Sequence, residues 1–135
     1  MVTTFSWPVR VYYEDTDAGG VVYYANYLRF FERARTEWLR AIGFEQRQLK
    51  AESGIVFAVR SVQIDYLRPA VLDDALQVEA AVSELGRASM HFRQRLLRDD
   101  EVLSTALVKV VSLDGETFRP VAIPAPIRER IDAQQ

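Results

Sequence analysis

Cysteine is absent from the sequence. That removes disulfides, thiolate nucleophiles and thiolate metal sites in one step. Histidine occurs once, so a multi-histidine metal site is excluded as well. No uncharged apolar run reaches the roughly 18 residues a membrane-spanning helix needs, so no membrane insertion is expected. The stretch Met1 to Pro8 lacks a basic region followed by an apolar run. No secretory signal is therefore predicted, and the chain reads as cytoplasmic. Surplus positive charge is missing too. The net charge of −2 gives no electrostatic reason to expect nucleic acid or an anionic membrane as partner. An anionic ligand would have to be held locally, by a few arginines or a helix end.

What is present suits one compact domain spanning residues 1–135. Apolar types make up 49% and charged types 27%, the balance of an ordinary globular domain. At this size roughly two-thirds of the unfolded surface can be buried. There is no internal repeat, low-complexity tract or linker.

The β-prone run Val9-Arg10-Val11-Tyr12-Tyr13 predicts a first strand over residues 7–14. It gives way to Asp15-Thr16-Asp17-Ala18-Gly19-Gly20, a turn-rich segment that cannot continue a strand. A long helix is expected from Tyr24 to Ala41. Its apolar stripe would be Tyr24, Leu28, Phe31, Ala34, Trp38 and Ile42. Gly43 fits the helix stop, and a shorter helix through Gln46 to Glu52 closes at Gly54. From there the period changes to two. Strands are predicted over 55–68, 74–84, 87–98 and 102–113, joined by turns at Glu84-Leu85-Gly86-Arg87 and Asp99-Asp100-Glu101. A tail with Pro120, Pro124 and Pro126 leads into a short terminal helix. The economical packing of one long helix and these strands is a single antiparallel sheet curled around the helix. Unpaired edge strands and leftover apolar positions then favour a second copy of the chain.

The segment from Tyr13 to Tyr27 carries three acids, two consecutive glycines and several tyrosines between a strand and a helix start. A helix start offers unpaired N–H groups and the positive end of the helix dipole, which suit a developing oxyanion. Consecutive glycines let the backbone approach a ligand closely. A carboxylate just upstream can attack a carbonyl or draw a proton from water. Those are the parts of an acyl-transfer hydrolase, although Asp and Gly before a helix also serve as a plain cap and turn.

The run Asp15-Thr16-Asp17-Ala18-Gly19-Gly20-Val21-Val22-Tyr23 resembles the signature of the 4-hydroxybenzoyl-CoA thioesterase family of hotdog proteins. The likeness is strongest to its YbgC-like, Tol–Pal-associated branch. It extends through Trp7-Pro8-Val9-Arg10-Val11, Phe31-Glu32-Arg33-Ala34-Arg35-Thr36-Glu37 and Leu67-Arg68-Pro69-Ala70-Val71-Leu72-Asp73-Asp74. The resemblance implies an α+β hotdog fold, with a long central helix wrapped by a curved antiparallel sheet of five or six strands. It implies an acyl-CoA thioesterase acting on a small or medium acyl group, with Asp17 as nucleophile or general base. Tyr13 would be a helper, and Tyr24 would polarise the thioester carbonyl through its backbone N–H. The YbgC-like branch commonly has histidine at the position of Tyr24. The tyrosine keeps the backbone donor but removes any acid–base role for the side chain. Val22, Arg60, Ser61, Arg87 and Ser89 are the candidate substrate-binding residues, the last four for CoA. No metal and no cofactor enter this reading. The implied assembly is a homodimer or a dimer-of-dimers tetramer, and acyl carrier protein is a second possible carrier of the acyl group.

His91 lies on the polar side of its strand, and no serine sits in a Gly-x-Ser-x-Gly elbow, so a Ser-His-Asp triad is not expected. A hotdog hydratase would need a histidine beside the turn acids, and His91 is on the wrong element. Asp73-Asp74 and Asp99-Asp100 read as turn carboxylates, Phe31 and Trp38 as core. The alternative function is a non-catalytic protein that binds acyl-CoA or acyl carrier protein.

Overall fold

The computed structural model describes residues 4–134. Residues 1–3, part of the stretch read above for a secretory signal, and residue 135 lie outside the described residues. The elements run β1 (Phe5–Arg10), α1 (Asn26–Ala41), α2 (Gln46–Ser53), β2 (Ile55–Tyr66), β3 (Ala75–Leu85), β4 (Ser89–Arg98), β5 (Glu101–Asp114) and α3 (Ala125–Ala133). The strands form one antiparallel sheet of five, in the order β1-β3-β4-β5-β2. This is the hotdog arrangement expected from the sequence, and five is the strand number.

The helix α1 packs on the concave face made by β1, β3 and β4. The alternation read in the third strand holds: Leu76, Val78, Ala80 and Val82 are buried and Ser83 is exposed. From β4, Met90, Phe92 and Leu96 join them in the core, and Phe92 meets Trp38 edge-on at 5.0 Å between ring centroids. Phe30 and Phe31 of α1 are fully buried, each contributing about 1.5–3 kcal/mol of apolar transfer.

Two departures from the expected bounds bear on the site. The first strand ends at Arg10, because Tyr13–Asp15 turn as a short 3-10 segment that breaks the ladder. The helix begins at Asn26 rather than Tyr24, and its buried stripe differs from the expected one. Tyr27, Phe30, Phe31, Ala34, Trp38 and Ile42 face the sheet, whereas Tyr24 and Leu28 are 63% and 41% exposed. A third departure is Gln94, which sits among the inward residues of β4 and is 1% exposed. Among the described residues no helix is long and apolar enough to cross a membrane.

Candidate active site

The chain leaves β1 and folds back on a buried carboxylate. Asp15 is 7% exposed. Its Oδ2 accepts from the Tyr12 N–H at 2.8 Å, and its Oδ1 accepts from Asn26 Nδ2 at 2.9 Å. Its carbonyl accepts from the Tyr23 N–H at 2.9 Å. One residue therefore ties the strand exit, the return of the loop and the first residue of α1.

Above this clamp lies a tight turn. Thr16 and Val22 face each other in an antiparallel bridge. The Asp17 N–H donates to Val21 O at 2.9 Å, and the Gly20 N–H donates to Asp17 O at 3.0 Å. Gly20 has φ +82°, which a side chain would strain, and a Cβ on Gly19 would come within 3.2 Å of Asp17 Oδ1. The Gly19 N–H instead donates to that oxygen at 2.8 Å. The carboxylate of Asp17 is thus aimed by the turn through one oxygen. Its Oδ2 has no protein partner among the described residues, and the side chain is exposed.

The turn is stitched to the segment after β2. Val22 N–H donates to Ala70 O at 2.8 Å, Ala70 N–H donates to the Tyr27 hydroxyl at 3.1 Å, and Val21 bridges Val71. At the entry to α1 the Asn26 N–H donates to Tyr23 O, but no side chain caps the helix. Among the described residues the N–H groups of Tyr24 and Ala25 meet no protein acceptor. Tyr66, the last residue of β2, donates its hydroxyl to Tyr24 O at 2.9 Å. Its ring stands edge-on to Tyr27 at 5.0 Å and to Tyr24 at 6.3 Å. The neighbouring Tyr24 hydroxyl holds the Tyr23 phenol above its usual range, and the charge of Asp17 adds a smaller push in the same direction. An exposed carboxylate, free backbone donors and a set of phenols therefore share one surface.

The candidates named from the sequence divide into two groups. Asp17, Tyr13 and Tyr24 lie at this entry. Tyr13 is 82% exposed, and its carbonyl accepts from the N–H and hydroxyl of Thr16. Val22 lies here too, but its side chain is in the core at 2% exposure and its N–H is committed to Ala70. The other four are elsewhere. Arg60 occupies the bulge of β2 between Val59 and Ser61, and Ser61 stands opposite Lys109 of β5. Arg87 and Ser89 are at the β3–β4 turn, with Ser89 opposite Val111. Ser61 and Tyr66 are five positions apart on one strand, roughly 17 Å at strand spacing. Within one chain the structure does not bring the CoA candidates to Asp17.

A cavity of about 280 Å³ opens between α1 and the sheet, walled by Trp38, Phe57, Met90, Phe92 and Val110. None of its lining comes from the Asp17 turn. Arg35 enters this wall and donates to Gln94 Oε1 at 3.0 Å, while Gln94 Nε2 donates to Phe31 O at 3.0 Å. Burial holds the Arg35 guanidinium below its usual range. His91 lies on β4 beside Glu84, 3.5 Å away. Among the described residues no group of three His, Asp or Glu side chains converges to hold a metal. Sequence reasoning passed over Asp15, Asn26, Tyr23 and Tyr66. The first three lie inside the motif that was read, but nothing in their spacing shows which acid is buried. Tyr66 is distant in sequence and gave no signal.

Residues 11–131 match the model of the thioesterase-like superfamily. A Haemophilus influenzae protein named acyl-CoA thioesterase YbgC is 54% identical over 124 residues, covering 92% of this chain and 91% of that protein. The Escherichia coli O157:H7 acyl-CoA thioester hydrolase YbgC is 47% identical over 126 residues, with 93% of each covered. The crystal structure of a probable thioesterase from Bartonella henselae superposes with a TM-score of 0.86 at 37% identity, covering 90% of this chain and all of that one.

Proposed function

The chain belongs to the thioesterase-like superfamily, and from that premise we propose that it hydrolyses acyl-CoA thioesters with Asp17 as the reacting carboxylate. The observation that carries the proposal is the pairing of an exposed, turn-aimed carboxylate with unpartnered N–H groups at the start of α1. The relatives named for acyl-CoA hydrolysis support the substrate class.

The thioester oxygen rests on the Tyr24 N–H, where the helix dipole favours the charge that develops as the carbonyl is attacked. Asp17 then acts in one of two ways. It attacks the carbonyl carbon, the C–S bond breaks, the thiolate leaves, and water cleaves the mixed anhydride. Or it takes a proton from a water whose oxygen attacks, and the thiolate leaves in the same sense. Label found in the Asp17 carboxylate after one turnover in ¹⁸O-water establishes the first route, with water cleaving the anhydride at the Asp17 carbonyl, because the second route leaves none there.

The CoA candidates reach the site through assembly. β2 is an edge strand of 12 residues with Val59, Val62 and Tyr66 exposed, a surface that invites pairing. Antiparallel pairing of two β2 strands about a two-fold axis lays the start of one beside the end of the other. The cavity next to Phe57 then approaches the helix entry of the partner protomer, and Arg60 and Ser61 lie in the shared seam.

The deciding experiment is Asp17→Asn. The amide oxygen still accepts from the Gly19 N–H, so the turn is kept while the reacting charge is lost. Free-thiol release from acyl-CoA is expected to fall about a hundredfold or more. Turnover at the parent rate would overturn the assignment. Acyl-CoA that stays intact with the parent protein would point to the non-catalytic binder. Acyl carrier protein thioesters assayed alongside test the second carrier.

A further inference from the structure

Tyr66 lies in neither the motif nor the cavity, yet its hydroxyl makes a hydrogen bond at the centre of the helix entry. The acceptor is Tyr24 O, 2.9 Å away. That carbonyl belongs to the peptide whose N–H is Ala25's, and this N–H, like that of Tyr24, has no protein acceptor among the described residues. A hydrogen bond to an amide oxygen draws electron density from the nitrogen and strengthens its N–H as a donor. We infer that Tyr66 is a positioning residue for carbonyl activation, its hydroxyl orienting and polarising the Tyr24–Ala25 peptide so that the Ala25 N–H joins the Tyr24 N–H on the thioester oxygen. This rests on the thioesterase reading above.

The setting suits the role. Tyr66 closes β2 opposite Ser104, whose hydroxyl donates to Asp65 O at 2.7 Å, so the backbone beneath the ring is pinned. The ring is clamped edge-on by Tyr27 and Tyr24. Burial, then the neighbouring Tyr27 and Tyr24 phenols, raise the point at which Tyr66 ionises. The hydroxyl thus remains a donor throughout the neutral range. Because Tyr66 ends the edge strand, the same bond ties the oxyanion donors to the sheet.

A purely structural tether would also cost something when cut, so the test varies donor strength with the ring left in place. Tyr66→Phe is compared with mono- and difluorotyrosine installed at position 66, at about pH 6, where the phenol is protonated. Asp17→Asn is assayed beside them. Tyr66→Phe is expected to lower kcat on the order of tenfold, with KM within about twofold and the thermal midpoint nearly unchanged. Fluorination makes the hydroxyl a stronger donor and is expected to raise kcat above that of the parent. A Tyr66→Phe variant with parental kcat, or a kcat indifferent to fluorination, overturns the inference. If Tyr66→Phe fails to fold, the fluorinated series decides alone. An inactive Asp17→Asn together with a flat fluorine series would sink this inference and leave the thioesterase reading standing. An active Asp17→Asn would remove both.

Discussion

Asp15 and Asp17 stand two positions apart and end in opposite environments. Asp15 is folded under the loop, where both carboxylate oxygens are taken by Tyr12 and Asn26. Asp17 is outside, with one oxygen anchored to Gly19 and the other without a protein partner among the described residues. The division has a consequence that urea unfolding can measure. In Asp15→Asn the amide oxygen still accepts from Tyr12, but the amide N–H₂ then faces that of Asn26, donor against donor. Stability is expected to drop by about 2 kcal/mol, the scale of a charge-assisted hydrogen bond lost in a buried site. Adding Asn26→Asp makes residue 26 the acceptor and is expected to recover at least half of that loss. A single variant as stable as the parent would show that the clamp does not operate. The motif made Asp17 conspicuous in the sequence, but neither acid's burial was legible. Burial here depends on the loop folding back so that Asn26 meets Asp15, and the loop's return is held by the Val22 N–H on Ala70 O from a distant segment.

The elements show how far periodicity reaches. The two-residue alternation of β3 and β4 is a direct image of one wet and one covered face, so those strands appear in the structure close to their predicted bounds. The stripe of α1 was read slightly out of phase, because Tyr24 and Leu28 are apolar but belong to the exposed entry of the helix. A helix end that serves a site leaves large apolar groups outside, and hydrophobic spacing then misplaces the first turn. The turn after β5 offers a test at this scale. Asp114 Oδ1 accepts from the N–H groups of Glu116 and Thr117 at 2.8 and 2.9 Å. The Thr117 N–H first, and the Glu116 N–H second, hold its carboxyl below the ordinary carboxylate range. The folded state thus favours the ionised form. The stability this contributes is present above the unfolded value of about 4 and is lost as pH falls through the lowered folded value. Thermal midpoints taken from about pH 5 to pH 2 are expected to fall less steeply for Asp114→Asn than for the parent. Equal slopes would rule out the turn as a source of acid sensitivity.

For the molecule as a whole, the proposed CoA contacts require assembly, because one chain keeps Arg60 and Ser61 in the middle of β2, away from the Asp17 turn. A protein whose site is completed by a second copy is expected to sediment as a dimer or larger. Val62, 40% exposed on edge strand β2, is where a single lysine should oppose pairing. Val62→Lys is expected to give folded monomers by sedimentation and circular dichroism, with thiol release reduced at least about tenfold, the scale of losing substrate-binding partners. Full activity in a monomeric parent would remove the need for a partner.

By itself the sequence determined the hotdog class, the strand-and-helix order and the thioesterase family, and it singled out Asp17 as the candidate carboxylate, because local spacing and a contiguous motif are recorded within a few neighbouring positions. Only the tertiary structure decided that Asp15 is buried, that Tyr66 from a distant strand grips the helix entry, and that Arg60 and Arg87 lie far from Asp17 in one chain. Those facts depend on which segments the sheet brings side by side, and strand order and register arise from packing across the whole domain rather than from the residues next in line.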